Sequence, residues 1–168
     1  MVWKAEYRVG VQAPADTLWD LMSNLDTWPS WNPLYRKAKG VIRIGELLTL
    51  EQHLPGQEPQ ILQPRVLDWA PRDHIHWETP HFRGLASGVR YIELEVHGEE
   101  SCILSNGELY HGPLAGFLQK RRRTLRTAFT EMGEALKMKA EEVWAAEKAS
   151  ASSATPLLPH PGEGRDPS

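Results

Sequence analysis

The stretch that most constrains this chain runs from His111 to Trp144. At helical spacing Leu114, Phe117, Leu118, Leu125, Ala128, Phe129, Met132, Leu136, Ala140, Val143 and Trp144 fall on one broad apolar stripe. That period belongs to a helix burying one face. Gly112 precedes it and Pro113 suits its first position, where an absent N–H costs nothing. At about 1.5 Å per residue it would span roughly 50 Å, longer than a small domain needs. The turns carrying Glu141, Glu142, Glu147 and Lys148 are therefore expected to project or fray. Gly133 interrupts it at a cost of about 1 kcal/mol unless something large packs over it. A helix of this length needs a sheet to lie against.

Strands are what the preceding residues supply. Trp3, Ala5, Tyr7, Val9 and Val11 alternate with Lys4, Glu6 and Arg8, the period of a half-buried strand. Pro14 opens a short helical segment with Asp16 or Thr17 as cap and Leu18, Trp19, Leu21 and Met22 as its apolar side. Pro29 and Pro33 limit DTWPSWNPLY to a short helix or turn carrying Trp28 and Trp31. Strands are then expected over 35–44, 47–54, 61–69, 74–79, 89–97 and 101–110, with Pro64 marking an edge or bulge. Residues 80–88 read as a mobile loop. From Ala149 onward Pro, Ser, Ala and Gly dominate, so the domain is placed at 1–148 and a disordered tail at 149–168.

The chain has 168 residues, enough for one domain with a core, and a net charge of −3, which argues against nucleic acid as a partner. Cys102 is the single cysteine, so no internal disulfide framework exists and a reducing compartment is expected. The N-terminal alternation is not a secretory signal and no stretch approaches ~20 apolar residues. A cytoplasmic protein without an integral membrane segment is the expectation. Monomer and homodimer both remain open.

Three local patterns carry a resemblance. TWPSWNP (27–33) is similar to a W-x-x-W-x-P stretch, RVLDWAPRDHIHW (65–77) to a strand followed by P-x-x-x-x-x-W, and SNGELYHGPLAGF (105–117) to a strand ending in E-x-x-x-G before the last helix. With the element order, they make the chain resemble the START/Bet v 1-like (SRPBCC) superfamily, including its bacterial polyketide cyclase/dehydrase-like members, over Trp3 to about Lys139. The resemblance implies an α+β helix-grip fold: a curved antiparallel sheet of about six to seven strands on a long C-terminal helix, with two short helices after the first strand. It implies an apolar ligand cavity between helix and sheet, and no reaction by itself.

Several residues carry candidate chemistry. Asn106, Glu108 and Tyr110 share one strand face with Cys102 and Leu104. If that face looks at the helix, Glu108 is a semi-buried carboxylate of raised pKa, suited to acid/base work or ligand anchoring. The alternate set Ser105, Gly107, Leu109 and His111 is nearly as plausible an inward face, and Glu108 pairing with a cation is the plainer alternative. Trp28, Trp31 and Trp77 with Phe82 would form an aromatic mouth, though packing explains each tryptophan as well. Leu118, Leu125, Phe129 and Met132 would wall the helix side, each contributing about 1.5–3 kcal/mol when buried. His74, His76 and Glu78, followed by His81, loosely resemble cupin ligands, but Ile75 and Trp77 look like the core face and turn the histidines to solvent. No metal and no cofactor are expected. Lys120 to Arg126 is a basic cluster lying mostly off the apolar stripe, a solvated face or a dock for anionic head groups. Nucleophile-elbow, dinucleotide and Walker patterns are absent.

Three readings follow. The first is a module that binds an apolar or aromatic small molecule such as a lipid, polyketide or isoprenoid. The second is a cyclase/dehydratase-type enzyme using Glu108, with His111 or Tyr110. The third is a quinone- or lipid-handling partner protein that docks through the basic cluster.

Overall fold

The computed structural model describes residues 1–153. Strand β1 (Trp3–Val11) buries Trp3, Ala5 and Val11 and pairs antiparallel with β8 (Ser101–His111). Beyond β8 follow β7 (Ala86–Gly98), β6 (His74–His81) and β5 (Arg65–Ala70), giving a five-stranded antiparallel sheet in the order β1-β8-β7-β6-β5. A second sheet holds β2 (Tyr35–Lys39), β3 (Thr49–Gln52) and β4 (Gln60–Leu62) in sequence order. The α+β helix-grip fold is as expected, but its strands divide between two sheets.

Proline chemistry makes that division. Pro64 has no N–H to give a ladder, so the strand expected over 61–69 splits into β4 and β5 and the chain passes from one sheet to the other between them. The sheets stay stitched by the Leu47–Arg65 bridge and by bonds from Gly45 N and Leu48 N to the Val66 and Pro64 carbonyls, each 2.8 Å.

Helix α1 (Ala15–Ser23) takes Pro14 itself as its N-cap rather than Asp16 or Thr17; Thr17 is instead buried. A 3-10 helix over Leu25–Ser30 follows, where the Asn24 side chain accepts from Asp26 N. The expected loop over 80–88 is largely strand: β6 runs to His81, a 3-10 turn spans Phe82–Gly84, and β7 starts at Ala86.

Helix α2 (Arg122–Ser153) begins well after Pro113, behind a 3-10 helix over Ala115–Arg121. The tighter winding of that segment turns Phe117 out of the apolar stripe and onto the surface. The rest of the stripe holds: Leu125, Ala128, Phe129, Met132, Gly133, Leu136 and Ala140 are buried, and α2 lies mainly on β1 and β8. The helix continues through Ser153, past the expected boundary at 149; residues 154–168 of the expected tail lie outside the described residues.

Gly133 is where α2 comes down on the sheet. A Cβ there would meet the Tyr7 ring at 2.8 Å, and the Tyr7 hydroxyl donates to the next helical side chain, Glu134. The ring is pinned at both ends, so it cannot step aside. Gly133→Ala, which would stabilise an exposed helix by about 1 kcal/mol, is expected here to destabilise by about 1–3 kcal/mol in urea unfolding.

Candidate functional site

Register places the functional side chains in rows across the sheet. Trp77 on β6, Arg90 on β7 and Glu108 on β8 are direct cross-strand partners. One step along, Thr79, Gly88 and Tyr110 form the next row. Asn106, Glu108 and Tyr110 are buried while Ser105, Leu109 and His111 are half-buried, so the even-numbered face of β8 is the inward one.

The space beneath α2 is occupied by Arg90, only 1% exposed. Its guanidinium lies 4.2 Å from the Phe129 ring centre, 5.6 Å from Trp77 and 5.9 Å from Tyr35. Its Nη1 donates to the carbonyls of Tyr91 (2.8 Å) and Gly107 (2.9 Å), its Nε to the Tyr35 hydroxyl (3.1 Å), and its Nη2 faces Met132 Sδ at 3.3 Å. A buried charge stands only when hydrogen-bonded or stacked, and here it is both.

That shell accounts for most of the expected wall. Trp28, Trp77, Leu125, Phe129 and Met132 are packed core, and Trp28 spends its indole N–H on the Leu21 carbonyl at 3.1 Å. Trp31 meets Trp28 edge-on, and Leu118 is buried in the 3-10 helix. Asn106 donates to the Phe129 carbonyl at 2.9 Å, tying sheet to helix. Phe82 sits on the surface at a positive φ of 50°. Where the sequence led to expect a hydrocarbon-walled hollow between helix and sheet, the rings of Phe129, Trp77 and Tyr35 pack around the Arg90 guanidinium.

A cavity of about 360 Å³ opens instead where the two sheets part. Gln52 of β3, Thr79 and His81 of β6, Glu108 and Tyr110 of β8 and Arg121 of the 3-10 helix line it, with Gln57, Gln60, Leu62 and Pro80 at the rim. Of the ten ligand-binding residues and one catalytic residue expected, Glu108 and Tyr110 lie in this cavity. Trp28, Trp31, Trp77, Phe82, Asn106, Leu118, Leu125, Phe129 and Met132 do not.

Glu108 is 6% exposed and backs onto Gly88, where a Cβ would stand 2.5 Å from its Oε1. Only a bare strand leaves room for the carboxyl. Burial pushes its pKa up; the positive charge of Arg90 opposes this, as do Tyr110 and Arg121 more weakly. His81 goes the other way: burial lowers it, and the Arg121 charge lowers it further. Its Nε2 is buried and has no hydrogen-bond partner among the described residues. Its ring leans on Tyr110 at 5.8 Å, and Tyr110 stacks on Trp3 at 4.3 Å. Burial and the Glu108 charge push the Tyr110 hydroxyl far above the usual phenol range. The cavity thus brings together a carboxyl whose pKa burial raises, an imidazole whose pKa burial lowers and whose Nε2 has no partner among the described residues, and the Arg121 cation, a set suited to moving protons and steadying a developing oxyanion.

Sequence reasoning missed Arg90 although a signal existed, since it shares its parity with buried Ile92 and Leu94. Along the chain His81 falls in the segment expected as a mobile loop, and Arg121 in a basic cluster. Only the folded rim brings them to Glu108.

The profile of the family described as polyketide cyclase / dehydrase and lipid transport matches residues 2–146. No curated protein matches the sequence. Among solved structures, norcoclaurine synthase from Thalictrum flavum, in complex with dopamine and hydroxybenzaldehyde, superposes with a TM-score of 0.65 at 18% identity, covering 84% of this chain and 88% of that one. A START superfamily protein from Mycobacterium smegmatis gives 0.67 at 17% identity, covering 83% and 98%. The di-domain ARO/CYC StfQ of the steffimycin biosynthetic pathway gives 0.64 at 14%, covering 89% of this chain and 52% of that one. These likenesses are of fold.

The raised pKa of Glu108 has a defined sign in stability. Its neutral carboxyl supports the fold fully below the ordinary 4.5, and this support is lost as pH rises through the folded-state pKa. His81 acts oppositely, supporting the fold above 6.5 and losing that support as pH falls. Urea unfolding of Glu108→Gln beside the parent is expected to show the variant gaining relative stability steadily from pH 4.5 upward. A difference independent of pH would mean that burial does not perturb Glu108.

Proposed function

The chain belongs to the polyketide cyclase/dehydrase and lipid transport family, within the START/Bet v 1-like superfamily, and from that premise we propose that it is an acid/base enzyme acting on a compact carbonyl compound of polyketide or aromatic type. The observation that carries this reading is Glu108, buried, its pKa raised by that burial, and lining a polar cavity. A cavity walled by hydrocarbon would favour simple storage of an apolar ligand. This one sets hydrogen-bonding groups at its wall, and it is small for a ligand site.

The residues suggest a balanced step. His81 Nε2 accepts a proton from the carbon next to the substrate carbonyl, and Arg121 steadies the enolate oxygen that forms. The protonated Glu108 then gives its proton to a departing β-hydroxyl, which leaves as water. Imidazolium and carboxylate exchange the proton through solvent to reset. Run on a carbonyl carbon within the same molecule, the enolate closes a ring instead, with Glu108 protonating the new alkoxide. Such general acid catalysis is worth about 10²–10⁴-fold in rate.

A second reading draws on the surface around the 3-10 helix over Ala115–Arg121. Phe117, Leu85 (52% exposed), Val2 and Phe82 (45%) stand out from it, flanked by Arg83, Lys120, Arg122 and Arg123. Leu114 N bonds the Leu85 carbonyl at 3.0 Å, holding the two loops side by side. Apolar wedges ringed by cations suit an anionic lipid surface, and Arg121 joins this face to the cavity mouth. The face would then collect substrate from a membrane.

Two measurements test these readings. Incubated with a panel of β-hydroxycarbonyl and polyketone compounds and followed by mass spectrometry, the parent should dehydrate or cyclise at least one. Glu108→Gln should lose about 10²–10⁴-fold in kcat with binding retained. Equal turnover by that variant, or none by the parent, overturns the enzyme reading. In flotation with phosphatidylserine vesicles, Phe117→Ser with Arg122→Glu and Arg123→Glu should abolish association. Association unchanged by the triple substitution removes the docking face.

A further inference from the structure

The outward turn expected of His74 and His76 is what the fold shows: Ile75 and Trp77 are buried between and beside them, and the two imidazoles stack at 4.4 Å on the far side of the sheet from the cavity. A third residue joins them there through a bulge. Between Val66 and Asp68 the β5–β6 register slips by one, with Leu67 as the extra residue, so Asp68 stands opposite His76 and not opposite inward-facing Ile75. The strand thus delivers a carboxylate to the histidine face.

We propose that Asp68, His74 and His76 form a binding site for a divalent first-row transition ion, of which Zn²⁺ is the simplest probe. One donor atom from each lies within 4.8 Å of the others. His74 Nε2 and Asp68 Oδ2 are already 3.0 Å apart, close to the spacing of two donors that share one tetrahedral ion. Asp68 is on the exposed edge strand and can rotate to close the rest. Two imidazoles with one carboxylate are a donor set for Zn²⁺ and its neighbours, not for Ca²⁺ or Mg²⁺.

The outer groups argue the same way. Imidazole ligands ordinarily hand their second nitrogen to a carboxylate. Here Asp73 Oδ2 stands 3.3 Å from His74 Nδ1, and Glu93 Oε1 stands 2.7 Å from His76 Nε2. An ion reached by His76 Nδ1 leaves Glu93 as the outer acceptor; one reached by Nε2 recruits it as a fourth donor. The ion would pin edge strand β5 to β6 and keep a coordination position open to solvent.

Tag-free, EDTA-treated protein titrated calorimetrically with Zn²⁺ tests this. One ion per chain is expected, with Kd micromolar or tighter and a rise in Tm. His74→Ala, His76→Ala and Asp68→Ala should each abolish saturable binding. Asp73→Asn, which keeps all three donors, should weaken it roughly 10–100-fold. His97→Ala and His81→Ala should leave it unchanged. X-ray absorption of the Zn²⁺-loaded parent should show two imidazoles at the metal, a readout that no variant's folding can confuse. Parent-like affinity in His74→Ala or His76→Ala, a spectrum without imidazole, or no saturable site in the parent overturns the assignment.

Discussion

The guanidinium of Arg90 decides what the interior of this molecule is. A charge that cannot be deprotonated stands where helix and sheet meet, and the surroundings must satisfy it. Phe129 and Met132 from the helix, Trp77 and Tyr35 from the strands, and the Gly107 and Tyr91 carbonyls all converge on it. Convergence fills the space under the helix. The same charge opposes the burial that raises Glu108, its direct neighbour on the next strand. Core packing and carboxyl chemistry therefore share one origin.

The accessible hollow is displaced to the seam between the two sheets. There the floor is Glu108 and Tyr110, one wall is the three-stranded sheet, and Arg121 hangs from the approach to the long helix. The lining is drawn from β3, β4, β6, β8 and the 3-10 helix, and Gln52, Thr79, His81, Glu108 and Arg121 make it largely polar. Gly88 is the silent member: any side chain on it would push the carboxyl out of its place.

The fold was legible because it rests on periodicity. Trp3, Ala5 and Val11 show the two-residue alternation, and Leu125, Phe129, Met132 and Leu136 the helical one; both are one-dimensional patterns that survive in the sequence. Gly133 showed as a position needing a large partner, and Tyr7 is that partner. The site was legible only in part. Strand parity offered Glu108 and Tyr110 as candidates but left the opposite face of the strand nearly as plausible. His81 and Arg121 reach the same cavity through a long β6 and a 3-10 helix where a mobile loop and a continuous α-helix were expected. Short apolar runs do not distinguish those windings. The aromatic residues lie elsewhere for another reason: composition says that tryptophans are buried, not what they face, and Trp77 faces the Arg90 guanidinium.

The crossing at Pro64 has a last consequence. Among the described residues no continuous ladder joins the small sheet to the large one; a bridge at Leu47–Arg65, a few main-chain bonds and the contacts of Tyr35 with Arg90 and Trp77 hold them together. Spreading the seam would leave both ladders whole, but it would break the Arg90–Tyr35 hydrogen bond and open the core that Tyr35, Leu50 and Trp77 share. The two sheets are thus held by side chains more than by main chain, and Tyr35, which reaches from the small sheet to Arg90 of the large one, is the clasp between them.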